Sequence, residues 1–146
     1  MIITGLMSNR LLTNSMLAWA LAQVIKTILY GVMHKKLDFH RLFGDGGMPS
    51  GHSATVTALA VTAGLEYGFS SAAFAISAIL AIIVMHDAMG VRLEAGKHAR
   101  AINELLELFS SEVEPDIKLK EFLGHTPMQV CFGALLGLLL AVFISG

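Results

Sequence analysis

At 146 residues, 55% apolar and only 14% charged, the chain departs from the composition of a water-soluble domain, where about a quarter of residues are charged. A net charge of −1 offers no basic patch for nucleic acid. The single cysteine, Cys131, excludes an internal disulfide and any multi-cysteine metal site. With a mean hydropathy of +0.68, the composition indicates an integral membrane protein, and the length suits one membrane-embedded domain over residues 1–146.

Small residues at 18–22 (Ala-Trp-Ala, Ala-Leu-Ala) imitate a signal-peptidase site, but Thr13, Asn14 and Ser15 break any preceding apolar core. The apolar run instead continues over residues 17–33, just enough to cross a bilayer core of about 30 Å as an uncleaved span. It carries Gln23 and Lys26, spaced i, i+3 on a helix. Residues 54–67 and 72–85 follow, broken by Gly-Phe-Ser-Ser at 68–71, and read as a helical hairpin. Their Ala, Ser, Thr and Gly content favours close helix packing in a membrane.

Over residues 92–109 the pattern changes. Ile102, Leu105, Leu106 and Phe109 fall at i, i+3, i+4, i+7, with Glu94, Lys97, Asn103, Glu104 and Glu107 elsewhere, which predicts an amphipathic helix at the water boundary. A polar loop spans 110–120. Thr126 is a suitable N-cap and Pro127 a suitable first helical residue, so the last span starts there. The expected fold is all-α: an integral-membrane helical bundle of about four spans plus an interfacial amphipathic helix. Four spans place residues 34–53 and 86–125 on one face. That face holds Lys35, Lys36, Arg41, Arg92, Lys97, Arg100, Lys118 and Lys120 against Arg10 alone on the other, which favours a cytoplasmic location for it.

The same face carries the residues with chemistry. His52 and His125 each follow a glycine at an expected helix start, in Pro-Ser-Gly-His and Gly-His-Thr-Pro. Helix N-termini present free N–H groups and a positive dipole end, which suit phosphate. Arg41 and Arg92 supply forked donors for phosphate oxygens. Two histidines can divide nucleophilic and acid–base work without a metal or another cofactor. Pro-Ser-Gly-His by itself is more often a turn before a helix; the second histidine-bearing helix start makes the combination a candidate phosphate site.

At these residues the chain resembles the type-2 phosphatidic acid phosphatase and vanadium haloperoxidase superfamily. Residues 49–53, PSGHS, are similar to its second signature, and residues 124–137, GHTPMQVCFGALLG, to its third. GGMPSGHSA, HDAMGVRLEAGKHA and LGHTP most resemble its divergent branch of small bacterial and plant membrane proteins, from about residue 22 to 137. The resemblance implies an all-α bundle in which His125 is the nucleophile that forms a phosphohistidine and His52 protonates the leaving oxygen. It further implies that Ser50 and the Gly51 N–H hold phosphate oxygens, and that Arg92 and Arg41 stabilise the transition-state charge.

The chain departs from the superfamily pattern in three places. Lys35 lies six residues before Arg41, one short of the first signature's spacing, and Leu42 replaces the proline. Lys26 is therefore a competing phosphate-site lysine, because a charge inside a membrane span is a functional candidate by default. Arg92 lies 33 residues before His125 rather than six. Gln129 stands where the superfamily has the aspartate that supports the nucleophile, and a neutral amide can orient an imidazole but not stabilise its cation.

Other histidines offer competing assignments. His98 sits six after Arg92, the superfamily's arginine–histidine spacing, but lacks the following x-Pro and Gly-rich helix; it reads as a polar-face residue. His86 and Asp87 form either a metal pair or a brace, with Asp87 supporting Arg92 the better assignment. The leading expectation is a phosphohydrolase acting on a lipid phosphate or isoprenoid diphosphate at the bilayer surface. The alternatives are a catalytically weak phosphate- or headgroup-binding scaffold and, third, a vanadate-dependent oxidase. The lipid's identity and the oligomeric state are left open.

Overall fold

A computed structural model describes residues 2–35, 47–109, 119–121 and 123–146. Arg41, together with Lys36, His40 and Lys118, lies outside the described residues. Within them the chain forms six helices: α1 (Ile2–Ser8), α2 (Arg10–His34), α3 (Gly51–Tyr67), α4 (Ala72–Met89), α5 (Val91–Phe109) and α6 (Pro127–Ser145). The all-α class agrees with the sequence pattern, as do the turn at 68–71 and the start of the last helix at Thr126 and Pro127.

Among the described residues three helical stretches are long and apolar enough to cross a membrane, rather than about four. They are Arg10–His34, Ala72–Leu108, whose apolar part is α4, and Pro127–Ser145. The fourth bundle helix, α3, has 17 residues and packs against α2, α4 and α6. Its composition explains that central position. Ala54, Ala58 and Ala63 are fully buried, and small side chains let three neighbours approach one helix at once.

The closest approach is between α3 and α6. A Cβ at Gly133 would collide with the Ser50 carbonyl oxygen, and one at Gly137 with that of Ala54. The Gly-x-x-x-Gly spacing thus puts two bare backbone positions one turn apart against α3. The helix starts lie together, since the Ser50 N–H donates to the Gln129 carbonyl at 3.0 Å. At the far end Asn14 Nδ2 donates to Thr62 Oγ1 (3.2 Å) and Ser145 Oγ (2.9 Å), and Arg10 pairs with Glu66 at 2.8 Å. These contacts make α3 and α6 parallel, and α2 antiparallel to both. Thr13, Asn14 and Ser15 do not interrupt α2. Buried Asn14 instead finds its partners across the bundle, as a polar group within a membrane must.

The α3–α4 connection is a tight hairpin. Gly68 takes a left-handed conformation (φ 88°), Ser71 caps α4, and the Phe69 ring folds onto Gly64. After Gly90 the chain continues as α5, whose exposed hydrophobics include Val91, Ile102, Leu105 and Leu108. The chain then returns along α5. Asn103 Nδ2 donates to the Leu119 carbonyl while its Oδ1 accepts from Leu119 N–H, both at 2.9 Å, and Nδ2 also reaches Glu121 at 2.8 Å. Gly96 lies under the Glu121 carbonyl and Gly124 against Leu93, positions where a Cβ would not fit. This return path delivers His125 to the end of α4.

Candidate functional site

Three helix ends meet at the site, the start of α3, the end of α4 and the start of α6, beside the middle of α2 around Trp19, Gln23 and Lys26. Ser50 is the N-cap of α3; its Oγ accepts from the Ser53 N–H at 3.3 Å and the Ser53 hydroxyl at 3.0 Å. Ser50 is fully buried, so its hydroxyl faces the helix junction. Gly51 opens the helix, and the indole of Trp19 lies within van der Waals reach of it. His52 follows, partly exposed.

His125 is fixed by its neighbours on both sides. Its N–H donates to the Ala88 carbonyl at 2.9 Å, tying it to the last turn of α4. Next comes a complete capping box: Thr126 Oγ1 accepts from the Gln129 N–H, and Gln129 Oε1 accepts from the Thr126 N–H at 3.1 Å. The two imidazoles then meet edge to face, with ring centroids 5.6 Å apart and planes at 77°. His125 is 2% exposed and both its ring nitrogens are closed to solvent.

The two competing lysines are separated by the structure. Lys26 is buried; its Nζ donates to Gln23 Oε1 at 2.6 Å and its stem packs on Gly47. That Gln23 oxygen lies 3.7 Å from where a Gly51 Cβ would stand. Lys26 thus sits beside the loop that leads into Ser50, Gly51 and His52. Lys35 is exposed beyond the end of α2 in a left-handed conformation, nine residues and about 13 Å further along the helix direction.

Arg92 Nε pairs with Asp87 Oδ2 at 2.9 Å, the brace expected of Asp87. Its backbone abuts Gly124, the residue before His125. Both side chains are about half exposed (51% and 44%), and an exposed ion pair contributes at most about 1 kcal/mol. The pair is therefore weakly held. His98 is exposed on α5 and His86 on α4. Among the described residues no group of three or more His, Cys, Asp or Glu side chains is placed to hold a metal ion.

Two features were missed at the sequence level. The Gln129 main chain joins the α6 start to Ser50, and Trp19 borders Gly51. Neither has a local signal, although the Gln129 side chain does, since Thr126-x-x-Gln129 is a capping-box pattern. The structure gives the Gln129 carboxamide oxygen this capping partner. Gln129→Ala is accordingly expected to cost about 1 kcal/mol, while Gln129→Glu retains the cap. Thermal unfolding of the two variants in one detergent checks this.

Residues 7–140 match the model of the divergent PAP2 family. The chain belongs to that family. It is also 43% identical over 152 aligned positions to the uncharacterized membrane protein YuiD of Bacillus subtilis (strain 168), covering 96% of each chain. No solved structure matches the chain. The divergent PAP2 family match extends from the end of α1 to near the end of α6 and includes both histidine-bearing helix starts. The protein is a membrane protein with three candidate transmembrane helices.

Proposed function

We propose that the protein is a membrane phosphohydrolase acting on a lipid phosphate or diphosphate. The observation that carries this reading is the edge-to-face pair of His52 and His125 at two adjoining helix N-termini, with Lys26 beside the loop. In this reading α3 crosses the membrane as a fourth span, and the site opens to the cytoplasmic face.

A phosphate entering past His52 meets the N–H groups of the α3 start, and Arg92 turns from Asp87 to meet it. A ring nitrogen of His125 attacks the terminal phosphorus, and the bond from that phosphorus to the leaving oxygen breaks, the lipid's ester oxygen in a monophosphate or the bridging oxygen in a diphosphate. Protonated His52 gives its proton to that oxygen, releasing the lipid alcohol, or the lipid monophosphate from a diphosphate. Neutral His52 then takes a proton from water as its oxygen attacks the phosphohistidine. Inorganic phosphate leaves and the His125 nitrogen is restored. Positive groups fixed around the transferring phosphoryl stabilise its charge, so the chain's own side chains suffice for each step.

The test is phosphate release by the purified protein from a panel of lipid phosphates and diphosphates. Phosphate binding with no turnover on any of them would instead favour the headgroup-binding scaffold. The acid role of His52 has its own signature. His52→Ala is expected to slow cleavage of an alkyl phosphate by about a hundredfold or more, but an aryl phosphate, whose leaving group needs little protonation, by less than about tenfold. Read as first-turnover release of the alcohol or phenol, before the shared phosphohistidine is hydrolysed, equal losses on the two esters would remove His52 from that role.

A further inference from the structure

An apolar groove of about 280 Å³ runs between α2 and α6 on one flank of the site. Ile25 and Leu29 form one wall, Phe132, Leu135 and Leu139 the other, and Met48 and Pro49 close the upper end. Pro49 directly precedes Ser50, the N-cap of the helix that carries His52, and Ile25 directly precedes Lys26. The groove therefore borders the 47–49 loop that leads into Ser50, the loop against which the Lys26 stem packs. From Phe132 to Leu139 it follows α6 for about 10 Å.

From this geometry we infer that the groove holds one hydrocarbon chain of the substrate, making the substrate a single-chain lipid phosphate or diphosphate. The assignment rests on the hydrolase reading for the headgroup, but the groove itself is argued separately. Both walls belong to helices apolar enough to cross a membrane, and Phe132, Leu135 and Leu139 are about half exposed (46%, 48% and 55%), so the groove faces hydrocarbon. An unfilled gap at that depth forfeits dispersion contacts on both walls, and a lipid chain restores them.

A partner helix is a poorer occupant. Helices associate in membranes through small residues; on α6 Gly133, Gly137 and Ala141 are already buried in the bundle, and no small residue of α6 lines the groove. The groove side of α6 instead carries Phe and Leu, whose long side chains hold a second helix away. The volume lies at the lower end of ligand sites, enough for one narrow chain rather than two.

The test fills the groove from each wall, with Leu135→Phe on α6 and Ile25→Phe on α2. Each protein is reconstituted in phosphatidylcholine nanodiscs, and binding of a radiolabelled prenyl alcohol, which has no phosphate, is measured. Saturable binding to the wild type, weakened about tenfold or more in both variants, is the expected result. Binding that does not saturate, or that both variants retain, overturns the groove whether or not the protein is a hydrolase. A single-chain prenyl phosphate is expected to displace the alcohol at least about tenfold better than diacyl phosphatidic acid, and equal displacement overturns the single-chain assignment. In phosphate release, the ratio of kcat/KM for the prenyl phosphate over a water-soluble ester is expected to fall about tenfold in either variant. Alcohol binding as expected with no hydrolysis of any ester leaves the groove standing and removes the hydrolase reading. A change of oligomeric mass in both variants, without loss of alcohol binding, assigns the groove to a second copy and overturns the proposal.

Discussion

Replacing His125 with Ala is expected to abolish phosphate release, a loss of about ten-thousandfold or more, because a methyl group cannot form the phosphoryl bond. The fold should survive the change. What holds this segment is the main-chain N–H on Ala88, the capping box of Thr126 and Gln129, and the fit of Gly124 against Leu93, none of which uses the imidazole. His98→Ala, on the exposed side of α5, is expected to leave release within about twofold of wild type, as for a surface substitution away from any packed contact. The measurement is phosphate release by the three proteins in one detergent. Loss with His98→Ala and retention with His125→Ala would move the nucleophile to α5.

The second large effect is structural. Gly137→Leu drives a branched side chain into the carbonyl of Ala54, where even a Cβ has no room. Overpacking of this kind costs about 1–3 kcal/mol where side chains can yield, and here the obstacle is backbone. Because the Ser50 N–H reaches the Gln129 carbonyl across the same interface, parting α3 from α6 also separates the two histidine-bearing helix starts. A lowered thermal midpoint together with loss of phosphate release is the expected outcome. Leu138→Val, on the exposed side of the same helix, serves as the control and should alter neither by much. Unchanged stability of Gly137→Leu would show that the close α3–α6 approach is not what sets the bundle.

Much of this organisation was legible from local chemistry. The 68–71 break, the Thr126–Pro127 helix start and the amphipathic run after Arg92 are each decided by residues near in sequence, and the structure has all three. The number of spans was harder to read. Counting apolar runs treats residues 54–67 like the others, whereas α3 is an alanine- and glycine-rich helix enclosed by its neighbours, shorter than those that qualify by length. Tertiary partners also stayed hidden. Asn14 looks like an interruption until Thr62 and Ser145 are brought to it from 48 and 131 residues away.

The candidate site followed the same division. Two glycine–histidine helix starts could be read from the sequence, but the meeting of their rings depends on the close approach at Gly133 and Gly137, whose spacing is local while its partner, α3, is not. The choice between Lys26 and Lys35 was likewise a tertiary matter. The signature spacing favoured neither, and what separates them is that the Lys26 stem packs on Gly47 whereas Lys35 lies exposed beyond α2. Gln129 was read only against an expected aspartate, while its own capping geometry was already encoded three residues after Thr126.

The most direct measurement of the central claim is to trap the covalent intermediate. Purified protein is mixed briefly with a lipid phosphate labelled on phosphorus, quenched in alkali, where phosphohistidine survives, and digested for mass spectrometry. Label on His125, absent from His125→Ala and accumulating in His52→Ala with an aryl ester, is the predicted result. Release of phosphate with no label on any histidine, or label on His98, would contradict the account.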